Sequence, residues 1–169
     1  MMKKNIVIIG LPGCGKTTLG AQLAEQIAYQ FVDLDEEIET RSGKKISQLF
    51  EIGEAHFRDV ESQVTKAVAA SEQSVISTGG GIVLREENIA ALKEHGLILF
   101  LNRSLKDITG DIDIEERPLL REGVERLQKI HDDRIHLYHQ YADVTVDNVG
   151  EIEDVIQTII TELQERSIL

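Results

Sequence analysis

Apolar positions along this chain follow two patterns that alternate from one end to the other. Short apolar runs of the kind found in buried strands predict five strands, near residues 4–9, 30–33, 74–78, 97–101 and 143–147. Helical spacing predicts helices near residues 16–28, 34–41, 46–71, 86–94, 122–140 and 151–166. This alternation predicts an α/β fold of three layers, in which helices cover both faces of a five-stranded parallel sheet.

Ligands of such sheets bind where the strands reach their carboxyl ends. Three strand ends in this chain are therefore candidate ligand sites. They are the segment 10–17 after the first strand, Asp33 and Asp35 after the second, and the glycines 79–81 after the third.

The segment 10–17 reads Gly-Leu-Pro-Gly-Cys-Gly-Lys-Thr and matches the phosphate-binding pattern G-x-x-x-x-G-K-[ST] in full. Its glycines let the backbone wrap an anion, and the helix that follows adds favourable potential for negative charge. Lys16 can reach the outer phosphates of a nucleotide, and the Thr17 hydroxyl can ligate magnesium. The segment therefore predicts a phosphate site between a strand and a helix.

Composition narrows the class of partner. The chain has 169 residues, a formal charge of −12, no basic tract and few aromatic residues. These features predict one domain, no nucleic-acid partner and no anionic membrane partner, and we expect a monomer. Cys14 is the single cysteine, which excludes an internal disulfide and favours a reducing, cytoplasmic location. The apolar run behind the basic N-terminus stops at Gly10, so we expect no signal peptide.

Two acidic motifs have more than one interpretation. Asp33 and Asp35, two residues apart at a strand end, could meet a cation and a substrate hydroxyl, or could open the next helix as an N-cap and a solvated acid. On a helix, Glu54 lies one turn before Arg58 and Glu61 lies three residues after it. The two acids could hold the guanidinium in one direction, or form an ordinary surface ladder of ion pairs.

Three further features bear on the site. Gly79, Gly80 and Gly81 follow an apolar strand, which favours close approach of backbone to a ligand over a loose turn. Arg117 and Pro118 follow the polar stretch 104–116, which has the character of a mobile lid. Arg134 and Tyr138 lie in a predicted helix rich in acids and histidines.

Taken in order and spacing, these motifs resemble shikimate kinase over nearly the whole chain. The matching elements are GLPGCGKT at 10–17, DLD at 33–35, GEAHFR at 53–58 with Glu61, STGGG at 77–81, RPLL at 117–120, and Arg134 with Tyr138. The phosphate loop alone indicates only a superfamily, whereas the other motifs together are far more specific.

The resemblance implies transfer of the γ-phosphoryl group of ATP to the 3-hydroxyl of shikimate, on the route to chorismate and aromatic amino acids. It implies one P-loop kinase domain over residues 1–169, with substrate-binding helices at about 34–61 and a lid at about 104–120. It also implies a set of functional residues. The ATP phosphates would be held by Gly13, Cys14, Gly15, Lys16, Thr17 and Thr18, with Arg117 entering from the lid.

The same resemblance implies roles at the metal and the acceptor. Thr17 would ligate Mg²⁺, and Asp33 would act on the ion through water. Asp35 would accept hydrogen bonds from ring hydroxyls, and would orient or deprotonate the attacking one. The shikimate carboxylate would be gripped by Arg58 and Arg134, since a guanidinium fork suits a planar anion. Backbone N–H groups of Gly79, Gly80 and Gly81 would line the shikimate site, and the implied catalytic residues are Lys16, Asp35 and Arg117.

The lid departs from the family pattern, in which basic residues stand just upstream of RPLL. Here neither Arg nor Lys occurs between Lys106 and Arg117. We therefore expect the grip on the nucleotide to depend on the phosphate loop, on Arg117 and on backbone contacts.

Two other functions stay open on the sequence. Another small-molecule P-loop kinase, such as gluconate kinase or a nucleoside monophosphate kinase, would share the loop and lid but would leave DLD, Arg58 and the triple glycine unexplained together. A nucleotide-binding switch would leave the arginines unused, and the N-K-x-D signature of GTPases is absent from the sequence.

Overall fold

The computed structural model describes residues 4–110 and 119–169, and for residues 119–121 it describes the backbone only. Five strands form one sheet: β1 (Asn5–Ile9), β2 (Gln30–Asp33), β3 (Ser74–Ser77), β4 (Gly96–Asn102) and β5 (Val144–Asp147). Their order across the sheet is β2-β3-β1-β4-β5, and every neighbouring pair is parallel. The predicted parallel α/β fold is confirmed, and each strand lies within one or two residues of its predicted range.

Helices connect the strands. They are α1 (Lys16–Ile27), α2 (Leu34–Ser42), α3 (Ile46–Ile52), α4 (Glu54–Ala69), α5 (Glu86–His95), α6 (Leu105–Gly110), α7 (Leu119–Tyr141) and α8 (Ile152–Glu165). No helix in the described ranges is both long enough and apolar enough to cross a bilayer.

The core lies on both faces of the central strands. Every residue of β1 is buried, as are the first six residues of β4. Side chains alternate between the two faces of a strand, so a fully buried strand must be covered on both. The edge strand β5 instead alternates buried and exposed positions. The continuous apolar runs of the central strands are the reason that the sequence predicted them well.

The helix predicted over residues 46–71 is two helices, because the chain turns at Gly53. This glycine has a φ of 154°, a conformation that L side chains rarely adopt, and it separates α3 from α4. The turn brings the Phe50 ring onto the Phe57 ring, with centroids 4.4 Å apart. The predicted single helix was therefore wrong at this point, and the break places α3 over the first turns of α4.

The first part of the predicted lid is helical. Ser104 caps the start of α6, because its hydroxyl accepts a hydrogen bond from the Asp107 N–H at 3.1 Å. Ile108 on this helix is buried, and its side chain lies 3.3 Å from the place where a Cβ on Gly13 would be. Residues 105–110 thus pack against the phosphate loop. Residues 111–118 of the predicted lid, including Arg117, lie outside the described residues.

Candidate active site

The sheet order creates a crevice at the carboxyl ends of β1 and β3. The connection after β1 runs toward β2, and the connection after β3 runs in the opposite direction across the sheet, toward β4. Adjacent strands whose connections diverge in this way form the usual ligand crevice of a parallel sheet. The hydroxyl and the backbone N–H of Thr78 both donate to the carbonyl of Ile8, at 2.8 and 3.2 Å, and so join the two exits.

The phosphate loop joins β1 to α1 and encloses the Lys16 ammonium. Its Nζ donates to the carbonyls of Gly10 and Leu11, at 2.8 and 2.9 Å. Only 8% of Lys16 is exposed, and this burial lowers the pKa of the ammonium below its ordinary value. The predicted phosphate-binding lysine is thus held inside the loop.

Side chains that carry oxygen atoms lie beside the loop on three elements, α1, β2 and β3. The Thr17 and Ser77 hydroxyl oxygens lie 3.4 Å apart, and Asp33 is paired with Ser77 across the sheet. One Asp33 oxygen accepts from the backbone N–H groups of Asp35 and Glu36, at 3.0 and 3.4 Å. The N-cap interpretation of Asp33 is therefore correct for one carboxylate oxygen.

Asp35 lies half-buried in the crevice, beside the phosphate loop and the triple-glycine segment. Burial raises the pKa of its carboxyl above the ordinary value, and the Asp33 charge raises it further. The charges of Lys16 and Arg58 oppose that shift. The same carboxylate reaches the triple-glycine segment, because its Oδ1 lies 3.2 Å from the place where a Cβ on Gly79 would be.

Arg58 is held from two directions on α4. Its guanidinium forms ion pairs with Glu61 at 3.0 Å and with Glu54 at 3.6 Å. The Phe57 and Phe50 ring centroids lie 5.0 and 5.8 Å from its Cζ. Only 11% of the side chain is exposed, and the buried Nε has no hydrogen-bond partner among the described residues. The interpretation as an exposed surface ladder is therefore wrong for the Arg58–Glu61 pair.

Glu61 pairs with Arg58 and also lies within the electrostatic influence of Arg134. Its side chain is 1% exposed, and burial raises the pKa of its carboxyl. The positive charges of Arg58 and Arg134 both oppose that rise, Arg58 more strongly. Two arginines from α4 and α7 thus act on one buried carboxylate.

Tyr138 fixes α7 against the triple-glycine segment. Its hydroxyl donates to the Gly80 carbonyl at 2.6 Å, and its fully buried ring stacks on Phe100 with centroids 5.2 Å apart. Burial raises the pKa of the phenol to about 12, so it stays a donor at any physiological pH. Since Arg134 lies one helical turn before Tyr138, this contact also sets the position of Arg134.

The triple glycine is a tightly packed wall. A Cβ on Gly80 would lie 2.7 Å from Cδ of Pro12, and a Cβ on Gly81 would overlap the Arg58 guanidinium. The wall therefore touches the phosphate loop on one side and the buried arginine on the other, and the loose-turn interpretation is wrong.

A second cavity of about 690 Å³ opens beside the N-terminus of α1. Its lining includes Thr18 from α1, Arg103 and Lys106 from the segment after β4, and Asn148 and Gly150 from the loop after β5. An Arg103 Nη also donates to the Gly13 carbonyl at 3.4 Å. Arg103 and Asn148 were missed by the sequence analysis, although reading the ends of β4 and β5 as closely as the first three strand ends would have found both.

Comparison with known proteins supports the family resemblance that the motifs indicate. A family model for shikimate kinase matches residues 12–164. The chain belongs to the shikimate kinase family. The shikimate kinase of Clostridium beijerinckii is 44% identical over 158 residues, which cover 94% of each chain. The shikimate kinase of Acinetobacter baumannii, solved in complex with shikimate, has a TM-score of 0.86 at 32% identity and covers 96% of this chain and 94% of its own.

One of the alternatives also has a similar structure. A gluconokinase from Sinorhizobium meliloti covers 97% of this chain and 93% of its own, with a TM-score of 0.62 at 18% identity. Identity this low shows a shared fold alone. The predicted family is confirmed, and as a member of the shikimate kinase family the chain is an ATP-using phosphotransferase with an alcohol group as acceptor.

Proposed function

We propose that this chain phosphorylates the 3-hydroxyl of shikimate with ATP, in the pathway to chorismate, and that the β1–β3 crevice brings the two substrates together. The observation that carries the assignment of residues is the wall of Gly79–Gly81. It packs against the phosphate loop at Pro12 and against Arg58, and it lies beside Asp35. A phosphate site, an anion site and a carboxylate thus share one wall, which suits transfer of a phosphoryl group to an anionic alcohol.

The nucleotide phosphates bind the loop from Gly13 to Thr18. The Lys16 ammonium, which bonds to the Gly10 and Leu11 carbonyls, exchanges part of that contact for outer phosphate oxygens. Because Lys16 is largely buried, its charge acts on the phosphates with little screening by water. The cavity beside α1 receives the rest of the nucleotide, with Arg103 and Lys106 on its wall.

The oxygen groups beside the loop suit magnesium. Mg²⁺ in phosphotransferases binds through substrate phosphates, waters and one or two protein oxygens, and so requires no complete protein cage. Within residues 4–110 and 119–169, no group of three His, Cys, Asp or Glu side chains gathers as a metal site. Thr17 would hold the ion directly, and Asp33 through water, because one Asp33 oxygen already caps α2. When bound, the ion would neutralise charge that develops on the phosphate oxygens during transfer.

Shikimate binds between the glycine wall and the two arginines. Arg58 and Arg134 bind its carboxylate, with Glu61 holding Arg58 in place. Asp35 accepts a hydrogen bond from a ring hydroxyl and directs the attacking oxygen toward the phosphate loop. The positive charges of Lys16 and Arg58 favour the ionised form of Asp35 that this role needs.

Further assignments rest on the sequence. Arg117, outside the described residues, would enter with the lid and offset charge on the transferring phosphate, an effect worth several kcal/mol in comparable enzymes. We also propose that the chain acts as a monomeric single domain in the cytoplasm, supported by its one continuous sheet and by Cys14 as the only cysteine. Its partners would be ATP and shikimate, with neither nucleic acid nor membrane.

A single assay tests the function. ADP release is measured with Mg²⁺ and ATP in the presence of shikimate, gluconate or AMP, or without an acceptor. We expect shikimate alone to accelerate ADP release. No acceleration by shikimate would overturn the proposal, and acceleration by gluconate or AMP instead would favour the matching alternative kinase.

A further inference from the structure

Asn148 forms a hydrogen bond to the phosphate loop from a distant part of the chain. It follows β5 directly, and its side-chain Nδ2 donates to the Cys14 carbonyl at 2.8 Å. The backbone N–H of Asn148 donates to the Asn102 carbonyl at 2.7 Å. This bond continues the β4–β5 ladder beyond the paired residues Asn102 and Asp147. The Asn148 side chain is therefore presented to the loop from a support that belongs to the sheet.

The bond from Asn148 sets the direction of a peptide group in the loop. The C=O of Cys14 and the N–H of Gly15 belong to one trans peptide, in which they point in opposite directions. When Asn148 holds the Cys14 carbonyl toward the β5 side, the Gly15 N–H is turned away from that side. In a phosphate loop the N–H groups must point at the anion, so the orientation of this peptide decides whether Gly15 contributes a donor.

Gly15 is shaped to accept this contact. Its φ is +100°, and a Cβ at this position would lie 2.8 Å from Nδ2 of Asn148. A side chain at position 15 would therefore be strained and would also displace the Asn148 amide from the Cys14 carbonyl. The required glycine and the asparagine amide thus form one packed unit, although 133 positions separate them in the sequence.

We infer that Asn148 is a positioning residue for the ATP phosphates, acting through the 14–15 peptide rather than by a bond of its own to the phosphates. The inference rests on the proposed function only in placing ATP on the phosphate loop. It predicts weaker binding of any polyphosphate when the amide is removed, with or without an adenine base. Shikimate binding should be unaffected, because Asn148 does not line the glycine wall.

The test compares Asn148→Leu with Asn102→Leu. Leucine has the same number of side-chain heavy atoms as asparagine and the same branch point, but it cannot donate a hydrogen bond. The Asn102 side chain provides a matched control. Its amide stands at the same sheet edge, but donates to Asp147 at 2.9 Å instead of to the loop. Binding of Mg-ATP is measured by calorimetry, and binding of Mg-tripolyphosphate, which has no base, by its competition with ATP.

We expect Asn148→Leu to weaken ATP and tripolyphosphate binding by about five- to tenfold each, the loss expected for one net hydrogen bond. The KM for ATP should rise while the KM for shikimate stays within about twofold, and Asn102→Leu should bind both ligands like the parent. Unchanged tripolyphosphate binding by Asn148→Leu would overturn the inference. This includes the case of weakened ATP binding alone, which would mean a contact with the base.

Two provisions keep the test decisive. If Asn148→Leu does not fold, Asn148→Ala, which removes the amide without adding bulk, carries the same comparison. Both binding measurements are made without shikimate. A parent protein that binds tripolyphosphate but does not phosphorylate shikimate would therefore defeat the proposed function and leave this inference to be judged on its own result.

Discussion

Gly81→Ala adds one methyl group at the point where the glycine wall meets the buried arginine. The backbone of Gly81 has a φ of −94° and a ψ of 7°, a conformation that is open to alanine and is used in type I turns. The added Cβ would, however, overlap Nη1 of Arg58 and lie 2.5 Å from Nη2 and 2.6 Å from Cζ. Ordinary contact begins at 3.4 Å, so the guanidinium must move by at least 0.9 Å to relieve the Nη2 contact alone, and the Nη1 atom lies closer still. The perturbation therefore acts on the position of Arg58 and not on the local backbone.

The displacement is large on the scale that matters for binding. It stretches the 3.0 Å bond between Arg58 and Glu61, and it moves the guanidinium away from the place where the substrate carboxylate would meet it. Misplacement by about 1 Å can cost about a hundredfold in rate. We expect kcat/KM for shikimate to fall by about 10- to 100-fold, with the KM for ATP unchanged. Because the clash is with the end of a flexible side chain, the free energy of unfolding should fall by less than about 2 kcal/mol.

The assay is ADP release at varied shikimate and then at varied ATP, with thermal unfolding measured on the same samples. Gly123→Ala is the matched control, because a Cβ there would meet no atom of the described residues within 4 Å beyond its own stretch of helix. Wild-type kcat/KM for shikimate in a folded Gly81→Ala protein would refute the placement of Arg58 at the substrate. A parallel loss of ATP binding would refute the separation of the two sites.

Three further substitutions test other parts of the site. Arg58→Ala should abolish shikimate turnover, whereas Arg58→Lys should retain a small part of it and both should bind ATP normally by calorimetry; loss of ATP binding would mean that the arginine is structural. Asp35→Asn should abolish turnover yet raise the melting temperature at pH 7. The carboxyl pKa is raised in the folded state, so ionised Asp35 costs stability once the pH exceeds its ordinary pKa. A lower melting temperature of the variant at pH 7 would contradict this sign. Tyr138→Phe leaves the Gly80 carbonyl without its donor. It should lower the free energy of unfolding, measured by urea titration, by about 1–3 kcal/mol, and it should raise the KM for shikimate. An unchanged KM would show that Arg134 is positioned without this contact.

The sequence alone predicted the architecture because its signals are local. Apolar runs mark buried strands, and the phosphate loop is a single stretch of eight residues whose chemistry depends on its own backbone. The spacing of Glu54, Arg58 and Glu61 on one helix also predicted their ion pairs, since neighbours on a helix surface lie three and four residues apart. The family resemblance rested on motifs of this kind.

Features that depend on distant parts of the chain appeared only in the tertiary structure. Even within one stretch, Gly53 breaks a helix that periodicity alone makes continuous, because its φ is 154°, and the Phe50 ring then packs on Phe57. Burial of Glu61, its influence from both Arg58 and Arg134, and the bond from Tyr138 to Gly80 join residues from different elements. Asn148 reaches Cys14 across 134 positions because β5 ends beside the phosphate loop. Local periodicity carries no record of such pairings, because sheet order and helix packing decide them.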